Sequence, residues 1–268
     1  MTLKVVLLVN IVLGCAQAVI SGILRTDRES NQFPGPDPYL VGGEIVTDRF
    51  FPSVVSLQIN KRHVCGGVIL QEDAILTAAS CIQGDYASSI QVVEGSNQLD
   101  VGGTEHKGHE KFPHPGYDIE KSWKNNIAIL KLETPIKFRW GVVPVKLPEA
   151  GAEIEPGTTA SAVGWGSQAA GENATNDLYK VDLPIVDLNV CNETYHPYSL
   201  NVFDNEICAG GVEGEGTCDG DTGGPLFIDN EIVGIASWGK PCAEESFPTV
   251  FMKVSHYVDW IQETLDSH

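Results

Sequence analysis

The stretch CDGDTGGPL, residues 218–226, sets an acid and a hydroxyl among closely spaced glycines. Glycine lets the chain turn tightly and brings backbone N–H groups close to a bound group. Such a turn can present a side-chain oxygen beside an anion-binding pocket made of amides. The oxygen here belongs to Thr222, whose β-methyl group crowds it. The stretch therefore predicts a turn built around a nucleophile, but with a hindered hydroxyl in the nucleophile's place.

The beginning of the chain is typical of an exported protein. Lys4, a short apolar run and AQA at 16–18 predict a signal peptide at residues 1–18, cleaved after Ala18. A membrane anchor is the weaker interpretation because the run is short. Residues 19–39 are polar and end in FPGPDPY, which indicates an exposed, propeptide-like linker. The remainder, 40–268, is long enough for one large domain or two lobes that share a core.

Six cysteines follow the predicted signal peptide, and an even number in an exported chain predicts three disulfides. The sequence alone permits fifteen pairings of six cysteines. Pairing neighbours along the chain is the simplest of them. It joins Cys65 to Cys81, Cys191 to Cys208 and Cys218 to Cys242. The N-x-T sequons at Asn173 and Asn192 predict glycosylation of the exported chain.

The net charge narrows the choice of partners. The formal charge is −19, from 17 basic and 36 acidic residues. Such an acidic surface argues against nucleic acid and against anionic membranes as partners. It fits a soluble secreted protein, or one that meets a basic partner, and plain solubility is the favoured interpretation.

Short β-rich runs separated by turns make up most of the chain. Examples are SVVSLQIN (53–60), AILTA (74–78), IAILKL (127–132) and EIVGIASW (231–238). This pattern favours an all-β sandwich or barrel over alternating β/α units. Only the C-terminal segment is expected to be helical. Its apolar residues recur at helical spacing: Val254, Val258, Ile261 and Leu265.

Seven motifs, in order, resemble those of the chymotrypsin-like (S1) serine proteases. They are LVGGEIV (40–46), VCGGVIL (64–70), ILTAASC (75–81), NNIAILKL (125–132), GWG (164–166), CDGDTGGPL (218–226) and SWG (237–239). The resemblance runs from Leu40 to about Thr264. It implies two packed six-stranded antiparallel β-barrels with a C-terminal α-helix, and it supports the neighbour pairing of the cysteines. The SWGKPC segment and the three-disulfide set look arthropod-like.

The resemblance also implies where a catalytic triad would stand. The base follows LTAA, the carboxylate precedes IA and the nucleophile follows GD; those places hold Ser80, Asn126 and Thr222. A hydroxyl is no general base near neutral pH, an amide carries no charge, and a threonine without a base stays protonated. We therefore expect no catalysis, although the N–H groups of Gly220 and Thr222 would still form an oxyanion pocket. The two hydroxyls and the amide are expected to form a neutral hydrogen-bonded cluster.

A substitute base and a metal site are both expected to be absent. Of the histidines elsewhere in the chain, His63 is the best candidate for a substitute base. We nevertheless expect it to be an ordinary surface histidine. EHKGHEKFPHPGYD (105–118) matches no standard metal spacing and is expected to be a solvated, charge-rich loop. The segment 93–105, where some relatives bind calcium, lacks their full set of acids. No cofactor is predicted.

The resemblance assigns a specificity pocket as well. Gly216 and Thr217 would lie at its base and Thr249 on its wall, in a place where relatives usually have glycine. The SWG segment, Ser237, Trp238 and Gly239, would line it too. None of these pocket residues is an acid that could pair with a Lys or Arg side chain of a substrate, and the branched Thr249 should shorten the cavity. Small or medium apolar side chains would therefore be preferred.

The activation site departs from the family pattern. Family zymogens are cut before the residue that matches Leu40, usually after Arg or Lys, and the new amine pairs with the acid that matches Asp221. Tyr39 precedes Leu40 here, so a tryptic activator would not cut this bond. We expect an uncut, zymogen-like chain. Asp221 is retained either for that ion pair or because the turn itself needs it.

The expected function is that of a secreted, non-catalytic serine protease homologue acting by protein binding. As a monomer it would bind an extracellular protease, zymogen or inhibitor. Its role would be that of cofactor, decoy or regulator in an extracellular proteolytic cascade, as in innate immunity, or of a secreted-fluid component. One alternative is a weak chymotrypsin-like or elastase-like peptidase that uses Thr222. Another is a structural or storage role in which the cleft does not matter.

Overall fold

The computed structural model describes residues 42–268 apart from Arg49 and Pro241. The predicted signal peptide and linker, Tyr39 and Leu40 lie outside the described residues. The described part is mostly antiparallel sheet. Its strands are β1 (Glu44–Ile45), β2 (Val54–Ile59), β3 (Arg62–Gln71), β4 (Ala74–Thr77), β5 (Ile90–Glu94), β6 (Thr104–Pro113), β7 (Ala128–Leu132), β8 (Thr159–Gly164), β9 (Tyr179–Val186), β10 (Glu206–Gly210), β11 (Pro225–Ile228), β12 (Glu231–Trp238) and β13 (Pro248–Lys253).

The N-terminal half forms one closed barrel, in the order β2-β3-β4-β7-β6-β5. Alternation along β5 shows why these segments are strands: Ile90 and Val92 are fully buried, while Gln91 and Val93 are partly exposed. The apolar faces of β2, β3, β4, β5 and β7 meet inside the barrel, around residues such as Leu57, Ile75 and Leu130. Closure leaves these six strands without a free edge.

The C-terminal half forms the second barrel, in the order β8-β9-β10-β13-β12-β11. A pairing of β11 with β8 closes the circle, and the short β1 adds a seventh strand beside β9. Its core is built on residues such as Leu183, Leu226 and Phe251. The prediction of two six-stranded antiparallel barrels is therefore confirmed.

The two barrels share a core and touch backbone to backbone. One apolar cluster joins Leu76 and Ile127 of the first barrel to Trp165 and Ile235 of the second. A Cβ added to Gly66 would lie 2.6 Å from the Cα atom of Gly224, so a side chain at that glycine would push the barrels apart. Glycine at the contact therefore fixes the 218–224 turn against β3.

The three disulfides join sequence neighbours. Cys65 is bonded to Cys81, Cys191 to Cys208 and Cys218 to Cys242. The neighbour pairing is confirmed. Each closed loop stabilises the fold by about 3 kcal/mol through its effect on the unfolded chain.

The helices are α1 (Ala79–Ile82), α2 (Leu188–Tyr195) and α3 (Val254–Ser267), with 3-10 turns at Ala87–Ser89 and His196–Tyr198. The C-terminal helix is confirmed, and it buries Val254 and Ile261. The expectation that no other segment is helical is wrong. Helix α2 is made mostly of weak helix formers. Its Asp187 cap, which accepts hydrogen bonds from two backbone N–H groups, and its buried Cys191 stabilise it instead. Within the described chain, no helix is both long and apolar enough to cross a membrane.

The expectation of a solvated loop over 105–118 is also wrong in part, because residues 104–113 form β6. Its charged side chains line the exposed face while His106 and Gly108 face inward. The exposed face of a barrel strand needs no apolar residues. A strand with many charged residues is therefore difficult to recognise from its sequence.

Candidate functional site

The three positions that the resemblance equates with a catalytic triad lie at one cleft between the barrels. Ser80 lies in α1, directly after β4; Asn126 ends the segment before β7; Thr222 lies in the turn before β11. Asn126 is fully buried, whereas Ser80 is exposed and Thr222 is half-buried. Ser80 and Thr222 both line a cleft of about 310 Å³.

Asn126 is the centre of a small neutral hydrogen-bond cluster. The Ser80 backbone N–H donates to Asn126 Oδ1 at 2.8 Å. Asn126 Nδ2 in turn donates to Ser80 Oγ at 3.1 Å and to Ser237 Oγ at 2.9 Å. Both amide hydrogens of Asn126 are therefore used, and every group bonded to the amide is uncharged.

The composition of this cluster differs from the predicted one. Within the described chain, no hydrogen bond joins the Thr222 hydroxyl to Ser80 or Asn126. Ser237 is the third member of the cluster in place of Thr222. Its side chain is buried beside the Asn126 amide, with 7% of the residue exposed, whereas Thr222 is partly open to the cleft. The hydroxyl of Thr222 thus stands apart from the neutral cluster.

His63 is not the surface histidine that the sequence favoured. Its Nε2 lies 2.9 Å from the carbonyl oxygen of Gly220 and its Nδ1 lies 2.9 Å from Ser56 Oγ. Because a carbonyl only accepts, Nε2 carries the hydrogen and the Ser56 hydroxyl donates to Nδ1. Burial, partly against Trp165, lowers the pKa of His63 to about 4. His63 is therefore a neutral side chain that fixes the Gly220 carbonyl, with both ring nitrogens engaged.

Glycines shape the turn that carries Thr222. Gly220 and Gly223 have φ angles of +97° and +80°, in the region that side chains disfavour. A Cβ at Gly223 would lie 2.3 Å from Thr77 Oγ1. The Gly66 N–H also donates to the Thr222 carbonyl at 2.9 Å. Local backbone geometry and contact with the other barrel thus both hold this turn.

Asp221 is buried beneath the turn, with 3% of its surface exposed. Its two carboxylate oxygens accept from the N–H groups of Gly166 and Cys218, each at 2.9 Å. Burial raises the pKa of Asp221 to about 7, against the effect of those two bonds. Within the described residues no cation pairs with it, and Leu40, whose amine would be the family's partner, lies outside them. The turn itself therefore uses this carboxylate.

Two threonines meet at the predicted pocket. Thr217 Oγ1 and Thr249 Oγ1 are 2.8 Å apart, and both residues line the cleft. Ser237, Trp238 and Gly239 line it as well. Gly216, expected at the base, is buried and is not among the lining residues. It packs beside Ala243, whose Cα atom would lie 3.2 Å from a Cβ on this glycine.

Aromatic side chains form one wall of the cleft, and sequence analysis missed most of them. The rings of Trp123 and Trp238 stack with centroids 6.0 Å apart, and Tyr195 packs on Trp238 edge-on at 4.8 Å. Lys240 lies at the same cleft, with its Nζ 3.8 Å from the ring centroid of Tyr198. These residues are separated in sequence, so no local motif could have revealed the wall.

Trp123 belongs to a segment with unusual backbone conformation. Ser122, Trp123 and Asn125 all have positive φ angles, between 52° and 56°. Residues other than glycine adopt this region at a cost, typically where surrounding contacts hold them in place. Here the Ser122 hydroxyl accepts from the Asn201 N–H at 3.0 Å. The segment that carries Trp123 is thus held in place against the second barrel.

Potential metal ligands do not converge in the segments considered from sequence. Among the described residues, the one group of three within reach of a single ion is Cys218, Asp219 and Cys242, whose sulfurs form a disulfide. In the 93–105 segment, Glu94 is 1% exposed and receives two hydrogen bonds of 2.9 Å from the Arg139 guanidinium. A guanidinium therefore provides the positive charge beside this buried acid.

The two sequons differ in setting. Asn173 is exposed in a loop, where an attached glycan would project into solvent. Asn192 lies in α2 and is partly buried, and its Oδ1 accepts from the Val202 N–H at 2.9 Å. Glycosylation stays a prediction at both positions, and the exposed Asn173 has the more accessible amide.

Comparison with known proteins agrees with this architecture. A family model described as trypsin matches residues 40–261. A trypsin of Phaedon cochleariae is 35% identical over 232 residues, which cover 85% of this chain and 89% of the relative. Trypsin epsilon of Drosophila erecta is 34% identical over 265 residues, 98% of each chain. Trypsin Blo t 3 of Blomia tropicalis is 36% identical over 230 residues, 84% of this chain and 85% of the relative. With two closed barrels, matching motifs and this coverage, the chain belongs to the trypsin family.

Proposed function

We propose that this protein is a secreted, non-catalytic member of the trypsin family that acts by binding another extracellular protein. Its partner would be a protease, a zymogen or an inhibitor, and its role that of cofactor, decoy or regulator in an extracellular proteolytic cascade. The observation that carries the proposal is the neutral cluster around Asn126. In it, two serine hydroxyls and a backbone N–H satisfy the amide, and no group can take a proton from an attacking oxygen.

Acyl transfer requires that a base remove the hydrogen of the nucleophile. Ser80 has no usable proton affinity near neutral pH, and Asn126 could not stabilise a charged base. His63 offers no substitute, because its pKa of about 4 makes it a weak proton acceptor near neutral pH and both its ring nitrogens are engaged. Removing a triad's serine or histidine alone lowers kcat by about 10⁶. Residual turnover from the Gly220 and Thr222 N–H groups would then be negligible.

A binding role is supported by what the cleft retains. It has an aromatic wall of Trp123 and Trp238, and aromatic side chains contribute strongly to protein interfaces. The net charge of −19 would complement a partner with a basic surface. Secretion is supported by the three disulfides, because such bonds persist mainly in oxidising compartments.

The absence of catalysis is tested with the purified chain. Peptide ester and anilide substrates with small apolar side chains at the cleavage position should show no turnover, and a fluorophosphonate should not label Thr222. Thr222→Ala should behave as the wild type does, as should a surface control, Thr158→Ala. Turnover that disappears in Thr222→Ala but persists in Thr158→Ala would establish the alternative, a weak peptidase that uses this threonine.

Partner binding through the cleft is tested with a blocking side chain at Gly239. A Cβ there would make only ordinary contacts, 3.5 Å from the Thr249 Cα atom and from the Tyr195 hydroxyl. Gly239→Trp should therefore fold and fill the cleft. The matched control is Gly84→Trp, at a surface position with no atom within 4 Å of an added Cβ. Capture of one extracellular protein by the wild type and the control, but not by Gly239→Trp, is the expected result. Equal capture by all three would indicate that the cleft is not the binding surface.

A further inference from the structure

Glu206 is a buried acid directly behind the aromatic wall of the cleft. It begins β10 and is 1% exposed. Its Oε2 accepts a hydrogen bond from the Phe203 backbone N–H at 2.8 Å, and its Oε1 accepts from Trp238 Nε1 at 3.4 Å. Within the described residues no cation lies within ion-pair distance of it. Nothing in the cluster around Asn126 requires a carboxylate at this position.

The charged and titratable surroundings of Glu206 are sparse. Among the described residues, Lys124, in the segment before β7, is the positive charge that acts on it, and its Nζ lies 4.9 Å from the centroid of the Phe203 ring. In the same part of the chain, Tyr257 of α3 is its titratable neighbour, and burial raises the pKa of the Tyr257 hydroxyl. Strand β13, beside β10, places Met252 opposite Glu206, and β12, one strand further, contributes Trp238; neither side chain titrates. Burial raises the pKa of Glu206 to about 8.

We propose that Glu206 is a positioning residue for the cleft: its carboxylate holds the Trp238 indole in place, and the indole is released when Glu206 takes up a proton. The cleft wall is therefore firmer at alkaline pH than at acid pH. This inference adds regulation to the proposed binding role of the cleft, and its test requires no ligand.

The hydrogen-bond inventory explains the direction of the effect. Both groups that face Glu206 are donors, so an ionised carboxylate with two acceptor oxygens satisfies both of them. A neutral carboxyl keeps one carbonyl oxygen, while its hydroxyl is a poor acceptor and adds a hydrogen that needs a partner of its own. The Trp238 bond, at 3.4 Å, is the longer of the two and is the one given up.

The experiment follows the five indole N–H resonances of the full chain in ¹⁵N-labelled protein by NMR while the pH is varied. Trp238→Phe identifies the resonance of Trp238. In the wild type this resonance is expected to shift in a single step near pH 8, where Glu206 titrates. Glu206→Gln, which has the same shape but does not titrate, should abolish the step. Lys124→Met should move the midpoint upward, because Lys124 favours the carboxylate.

The matched control is Glu231→Gln, which removes an acid of the same sheet that pairs with Lys146 and does not contact Trp238. It should leave the Trp238 step unchanged. A Trp238 resonance that does not titrate in the wild type, or that titrates equally in Glu206→Gln, would overturn the inference. No partner is added in this experiment, so its failure would leave the proposed binding through the cleft intact. In the same way, failure of the partner-capture experiment would leave the role of Glu206 intact.

Discussion

The burial of Asp221 predicts that this residue's contribution to the free energy of unfolding is lost as the pH rises from about 4 to about 8. The folded protein holds the Asp221 proton with a pKa of about 7, whereas the ordinary value is 3.8. Because the folded state binds the proton more tightly, its contribution to stability is complete below the ordinary pKa. That contribution is lost as the pH rises through the raised value. At 1.36 kcal/mol per unit, a change of about three units amounts to about 4 kcal/mol.

The assay is urea unfolding of the wild type and Asp221→Asn at several values between about pH 4.5 and pH 8.5. The difference between the two proteins isolates Asp221, because Glu206 and the other groups contribute to both. At acid pH both side chains are neutral and each has one carbonyl oxygen to accept from the Gly166 or Cys218 N–H group, so the two proteins should have similar stability there. The stability of Asp221→Asn should depend less on pH than that of the wild type. Asp229→Asn, at an exposed acid that is not among the causes of the Asp221 shift, is the control and should follow the wild type.

The opposite slope would refute this reasoning. If the wild type became more stable between about pH 5 and pH 8, and Asp221→Asn removed that gain, the carboxylate would have a cation beside it and a depressed pKa. The family's partner is the amine of Leu40 after cleavage, so that result would also contradict the prediction of an uncut, zymogen-like chain. Sequencing of the protein's N-terminus would distinguish a cleaved chain from an uncut one with another cation.

Two further predictions concern side chains that hold the first barrel together. Arg139→Met should lower the free energy of unfolding by about 3 kcal/mol, because it removes the guanidinium from the buried Glu94 carboxylate. Arg139→Lys should recover part of that loss, and equal stability of both variants and the wild type in urea would contradict this. Lys111→Met should lower the free energy of unfolding by about 2 kcal/mol, because the Lys111 ammonium donates to the carbonyls of Ile82 and Gln83 at the end of α1. Urea unfolding measures this change, and an unchanged unfolding midpoint would contradict the prediction.

Sequence analysis succeeded where the information is local or rests on ordered motifs. The barrels, the C-terminal helix and the cysteine pairing followed from short strands, turn residues and motif order. The positions of Ser80, Asn126 and Thr222 followed from the residues beside them, and the structure brings all three to one cleft. Helix α2 and strand β6 were missed because a cap, a disulfide and the barrel's other strands determine them, not their own composition.

The rest could not be predicted because it depends on contacts between distant parts of the chain. His63 became a partly buried, neutral side chain through its contact with Gly220, which lies 157 positions away. Glu206 meets Trp238, 32 positions later, and no pattern near either residue indicates that a carboxyl and an indole face each other. Ser237 joined the cluster around Asn126 across 111 positions.

Under the proposed non-catalytic function, the bonding around Asn126 would make a gain of catalysis by single replacements difficult. Asn126→Asp alone would bury a negative charge that has no cation to balance it, next to a Ser237 hydroxyl 2.9 Å away. Ser80→His alone would place an imidazole beside an uncharged amide, which cannot stabilise its protonated form. Under the proposed function, both changes would therefore be needed together before the cleft held a supported base. Single substitutions in this cleft would accordingly alter recognition sooner than they would introduce hydrolysis.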